Sequence, residues 1–108
     1  MKVLKFGGTS VSDYKSIDCV TSIITKNKSQ ITVVVSALGG VTEMLNTMLE
    51  KAGSGDLDYK YQIDELEKRH IDIIKNRIPI IKQSSITSFI KTQLLDLENF
   101  LDSVYSLK

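Results

Sequence analysis

Two short apolar runs near the start of the chain give way to long stretches in which apolar residues recur every three or four positions. Val3-Leu4-Lys5-Phe6 ends at Gly7-Gly8, and Ile31 to Val35 ends at Ser36 and then Gly39-Gly40. Short runs bounded by glycine, the second of them rich in β-branched residues, predict strands. The second run is apolar without alternation, as in a parallel strand covered on both faces, so burial of the sheet is expected. Between the two, Ile17, Val20, Ile23 and Ile24 fall at helical spacing, with Ser12 or Asp13 placed to cap the first turn. Strand, helix and strand in this order predict a βαβ unit.

After the second glycine pair, Val41, Met44, Leu45, Met48, Leu49 and Ala52 form another helical stripe, with Thr42 as its expected N-cap and Gly53-Ser54-Gly55-Asp56 as its stop. From Tyr59 the helices lengthen. Ile63, Leu66, His70, Ile73 and Ile74 make one stripe, ended near Pro79, and Ile86, Phe89, Ile90, Leu94, Leu97, Leu101 and Val104 make the next. Together they predict a helical hairpin. The last stripe runs almost to Lys108 without a closing glycine or proline. Two strands are also fewer than an α/β sheet usually contains, and a buried-type strand would leave open edges. Residues 1–108 are therefore expected to be an incomplete portion of one α/β domain, needing more chain or a partner.

Composition narrows the setting. A chain of 108 residues with 42% apolar content can bury a core. Fourteen basic residues against thirteen acidic ones leave a net charge of +1, which supplies no field to gather nucleic acid or an anionic membrane. Cys19 has no second cysteine to pair with, so a reducing compartment, the cytoplasm, is expected. The apolar residues before Gly7 are too few for a signal segment, and no run approaches the roughly 20 residues of a membrane span. His70, in an apolar stripe, is expected to be a packed or edge histidine and not a ligand; Glu65, Glu67, Lys68 and Arg69 to be a solvated helix face; and Met44 and Met48 to be core.

The chemistry concentrates in Lys5-Phe6-Gly7-Gly8-Thr9-Ser10, a lysine at the carboxyl end of a strand followed by two glycines and two hydroxyls. Glycines let a backbone approach an anion, successive N–H groups line the concavity, and a following helix N-terminus adds roughly half a positive charge. The order of residues is neither a Walker A loop nor a GxGxxG dinucleotide turn. An ordinary strand-to-helix turn with a solvated lysine is the competing reading. Ser36-Ala37-Leu38-Gly39-Gly40-Val41-Thr42 repeats the arrangement. Ligands of open α/β sheets lie beyond the carboxyl ends of the strands, so both segments are expected on one crevice. For Ser36 and Thr42, local backbone bonding is the plainer alternative.

KFGGTSV at residues 5–11 with VVSALGGVT at 34–42 resembles the aspartate kinases of the amino-acid kinase superfamily, and the resemblance runs through nearly the whole chain. It implies the N-terminal part of a three-layer αβα, carbamate-kinase-like domain with a parallel sheet, followed by the helical hairpin. It further implies ATP with Mg²⁺, metal ligands outside this chain, and phosphorylation of L-aspartate to 4-phospho-L-aspartate on the route to lysine, threonine and methionine. By matching positions, Lys5 corresponds to the lysine that neutralises the transferring phosphoryl group. Phe6, Gly7, Gly8, Thr9 and Ser10 correspond to the nucleotide-binding segment, and Ser36 and Thr42 to the aspartate side.

Such chemistry asks mostly for alignment and charge neutralisation. The acceptor carboxylate, with an ordinary pKa of about 4, is already ionised near neutral pH and needs no strong base. Glu43 stands where many bacterial members carry Asn, a departure that bears on the aspartate pocket. The glutamate-containing segment, the adenine and metal half and the regulatory domains of the family have no counterpart in these residues. The chain alone is thus expected to be inactive and prone to self-association, and the complete parent to be a homo-oligomer, with or without a fused homoserine dehydrogenase. Another amino-acid kinase, or a non-catalytic α/β interaction module, is the alternative reading.

Overall fold

The structure is a computed structural model that describes residues 1–107. The chain forms two compact units, Met1–Thr42 and a second from Glu43 onward.

In the first unit, strand β1 (Lys2–Phe6) leads through a 3₁₀ turn (Gly8–Val11) into helix α1 (Tyr14–Lys26), and strand β2 (Ile31–Val35) returns beside β1. The strands pair in parallel, Lys5 opposite Val34 and Phe6 opposite Val35, which completes the expected βαβ unit. Asp13 starts α1. Its Oδ1 accepts from the Ser16 N–H at 2.8 Å, while Ser16 Oγ accepts from the Asp13 N–H at 3.1 Å, a reciprocal capping box. These bonds to Ser16 hold the Asp13 carboxyl below the usual carboxylate range. Val11 and Val20 are buried.

The sheet departs from expectation. Val33, Val34 and Val35 are 37%, 44% and 58% exposed, not covered on both faces. Two strands and one helix do not supply enough surface to sandwich a strand, so the uninterrupted valine run faces water in this chain.

Helix α2 (Val41–Gly53) begins two residues earlier than the N-cap expectation for Thr42 requires. Gly40 takes the left-handed conformation (φ +82°), and the Val41 N–H donates to the Leu38 carbonyl at 3.0 Å. The turn is thus closed by backbone alone, and Thr42 sits inside the first helical turn. The expected stop holds: left-handed Gly55 (φ +81°) lets the Asp56 N–H reach back to the Lys51 carbonyl at 2.8 Å.

The second unit is built around α3 (Tyr59–Arg77) and α4 (Ile80–Ser106), joined across Pro79 into the expected hairpin. Met48, Ala52, Tyr59, Ile63, Leu66, Ile74 and Leu101 are its buried residues. The start of α3 is fastened to the end of α4. The Tyr59 hydroxyl donates to Asp102 Oδ1 at 2.5 Å, its ring lies 6.1 Å from that of Tyr105, and Lys60 Nζ stands 3.2 Å from the same Asp102 oxygen. His70 Nδ1 lies 2.8 Å from the Leu66 carbonyl, a local contact on its own helix.

Candidate functional site: two glycine loops at the strand ends

Parallel pairing puts the carboxyl ends of β1 and β2 side by side, and the Ser36 N–H extends the ladder by donating to the Phe6 carbonyl at 3.0 Å. Side chains alternate along a strand, so Ser36, two residues beyond the Val34 that faces Lys5, keeps the phase of Lys5. Lys5 is exposed and Phe6 half-buried. The two loops that follow touch. A Cβ built on Gly8 would lie 3.3 Å from Gly39 Cα and 3.8 Å from Ser36 Oγ, and one built on Gly39 would lie 2.8 Å from the Gly8 carbonyl oxygen. Only residues without side chains let two backbones meet this closely.

Gly7 differs from both. Its φ of −79° suits any residue, and a Cβ there would meet nothing within 4 Å. Neither backbone conformation nor packing inside the chain calls for glycine at this position.

Donors are divided within the first loop. The Ser10 N–H is already used by the Gly7 carbonyl at 3.1 Å. The turn that opens directly from the loop is the 3₁₀ turn Gly8–Val11, while α1 begins only at Tyr14 and is capped by its own acid, Asp13. Charge for an anion must then come from Lys5, with N–H dipoles as the supplement. Thr9 and Thr42 are exposed, and Ser10 is half-buried.

Sequence reasoning passed over Ser12. It was expected at most to cap a helix, yet its hydroxyl lies 2.9 Å from the Gly8 carbonyl oxygen and 3.3 Å from that of Thr9. The only signal available was its place four residues after a loop glycine. Away from these loops, a groove of about 470 Å³ lies between α3 and α4, lined in part by Glu67, Lys68, Asp72, Lys75 and Lys91. Acids and lysines are mixed along it, as on a solvated helix surface, without a convergent donor set.

A parallel α/β unit whose two glycine loops meet beyond its strand ends is the class of protein that this geometry defines. No protein-family model matches the chain. It is 35% identical over 96 residues to the aspartokinase of Chlamydia pneumoniae, an alignment covering 89% of this chain and 21% of that protein. It is 29% identical over 104 residues to a chloroplastic bifunctional aspartokinase/homoserine dehydrogenase of Zea mays, covering 95% of this chain and 11% of the relative. The chain therefore spans roughly a tenth to a fifth of the length of the curated relatives it matches. A solved aspartate kinase from Clostridium acetobutylicum superposes with a TM-score of 0.74 over 98% of this chain and 26% of its own, at 20% identity, a likeness of fold. The homologues of this chain are aspartokinases, alone or joined to homoserine dehydrogenase, and the resemblance carried by residues 5–11 and 34–42 is to that family.

Proposed function

We propose that residues 1–108 are the N-terminal part of an amino-acid kinase domain and supply the phosphoryl-cradling side of an aspartate kinase. The observation that carries this reading is the meeting of the two glycine loops, with Lys5 and Ser36 in one phase beside the open flank of Gly7. Bound ATP supplies the phosphoryl group, and its Mg²⁺, held by groups outside this chain, shares the neutralisation of charge. Lys5 carries the full positive charge at the strand end and acts as the catalytic cation on the transferring phosphoryl oxygens. Phe6, Gly7, Gly8, Thr9 and Ser10 form the nucleotide segment: Gly7 leaves room for close approach, and the Gly8 and Thr9 amides are the donors. Ser36 and Thr42, hydroxyls at the head of the second loop and in the first turn of α2, orient L-aspartate. The product, 4-phospho-L-aspartate, would enter lysine and threonine synthesis.

An exposed, unpaired Cys19 suits a reducing compartment, for which we propose the cytoplasm. The complete protein is proposed to be a homo-oligomer. No described helix is long and apolar enough to cross a membrane.

The test is Lys5→Ala in the complete protein carrying this segment, assayed by aspartate-dependent ADP release. Electrostatic deletions of this kind cost about 10²–10³ in kcat, with the KM for aspartate little changed. Near-wild-type kcat would remove Lys5 from its role.

A further inference from the structure

The Gly8–Thr9 peptide is gripped from two sides. Ser12 Oγ, itself held on the end of α1 by the bond between the Ser12 N–H and Ser16 Oγ at 3.0 Å, donates to the Gly8 carbonyl oxygen at 2.9 Å. From the other side Gly39 packs so tightly that a Cβ there would stand 2.5 Å from Ser12 Oγ and 2.8 Å from the same carbonyl oxygen. Real Cβ atoms do not approach backbone that closely, so contact, not φ, demands glycine at 39. The left-handed conformation in that loop belongs to Gly40.

A trans peptide is planar, with its C=O and N–H pointing in opposite directions. Among the described residues no peptide bond is cis. Fixing the Gly8 carbonyl toward Ser12 and Gly39 therefore aims the Thr9 N–H the other way, out of the loop–loop contact. Were this peptide to flip, a carbonyl oxygen would replace the N–H, and a donor for an anion would become a repelling dipole. Glycine at position 8 makes such a flip conformationally easy, which is why a lock has something to do.

We propose that Ser12 and Gly39 are positioning residues that lock the Gly8–Thr9 peptide with its N–H directed to the nucleotide's phosphates. The proposal rests on the phosphate-cradle reading above and adds to it two residues that touch no substrate. Ser12→Ala removes the hydroxyl donor without adding bulk, while Ser12→Thr keeps it.

The experiment measures MgATP affinity by titration calorimetry, and kcat with both KM values, in the complete protein carrying wild-type Ser12, Ser12→Ala, Ser12→Thr or Gly39→Ala. Ser12→Ala is expected to weaken MgATP by about 3- to 10-fold, the size of one lost hydrogen bond, with the aspartate KM unchanged. Ser12→Thr should restore wild-type affinity, and Gly39→Ala should weaken MgATP at least as much as Ser12→Ala. Backbone amide NMR should show the Thr9 N–H resonance broadened in Ser12→Ala. A wild-type protein that binds no MgATP overturns the cradle reading and this proposal with it. A wild-type protein that binds MgATP while Ser12→Ala binds it equally well overturns the lock alone. So does a Ser12→Ala protein in which both KM values rise together by the same factor, the mark of a merely structural role.

Discussion

Replacing Tyr59 by Phe tests how the helical hairpin is held. The side chain is fully buried, and its hydroxyl donates to Asp102 at 2.5 Å. Bonds to a charged acceptor contribute about 1.5–3 kcal/mol, and leaving a buried charge unpaired would add more. Asp102 is not left so: its side chain is 43% exposed and keeps Lys60 at 3.2 Å. The loss should then fall at the low end, about 1.5 kcal/mol, with a fall in melting temperature of about 4–8 °C per kcal/mol for a domain of this size. Tyr59→Ala adds the cavity and should cost about 3–5 kcal/mol.

The pH profile gives a second reading of the same bond. The Tyr59 hydroxyl, ahead of Lys60, holds the Asp102 carboxyl below its ordinary value of 3.8. That contribution is present above 3.8 and disappears as pH falls through the depressed value. Burial, reinforced by Asp102, pushes Tyr59 from 10.0 up to about 12. Its contribution is whole below 10 and disappears as pH rises through about 12. Circular dichroism melts across both limbs should show a shallower acid limb in Tyr59→Phe and a smaller loss of stability between pH 10 and 12 than in the wild type, since only the contribution of Lys60 to Asp102 and Glu98 remains to be lost there. Wild-type stability of Tyr59→Phe at neutral pH would refute the reasoning.

Gly7→Ala should leave the fold intact, since a Cβ there meets nothing within 4 Å, yet should weaken MgATP; equal affinity would show that nothing approaches that flank. Thr42→Ala should raise the aspartate KM more than it lowers kcat, and the reverse split would move Thr42 out of the aspartate side. The isolated 108-residue chain should self-associate in size-exclusion chromatography with light scattering and show no aspartate-dependent ATP turnover. Val3, Val33, Val34 and Val35 are exposed on a two-stranded sheet, and an active monomer would contradict this.

Local chemistry made much of this protein legible in its amino acids. Glycine pairs follow the two apolar runs that became strands, and of the two cap residues expected, Ser12 or Asp13, the structure uses Asp13. Apolar stripes broken at Gly53–Asp56 and Pro79 gave α2, α3 and α4 within a few residues, because backbone conformation and side-chain caps act over one turn. Residues 5–11 and 34–42 also carried the family resemblance. Other features needed the chain to close on itself. Whether the valine run is buried depends on what covers it, and periodicity cannot see how much covering surface exists. The start of α2 was decided by Gly40 and a backbone bond, not by the hydroxyl of Thr42. The meeting of Gly8 with Gly39, the grip of Ser12 on a carbonyl and the reach of Tyr59 to Asp102 join residues distant in sequence or depend on loop shape. Only the folded backbone brings those atoms to hydrogen-bond and van der Waals distance.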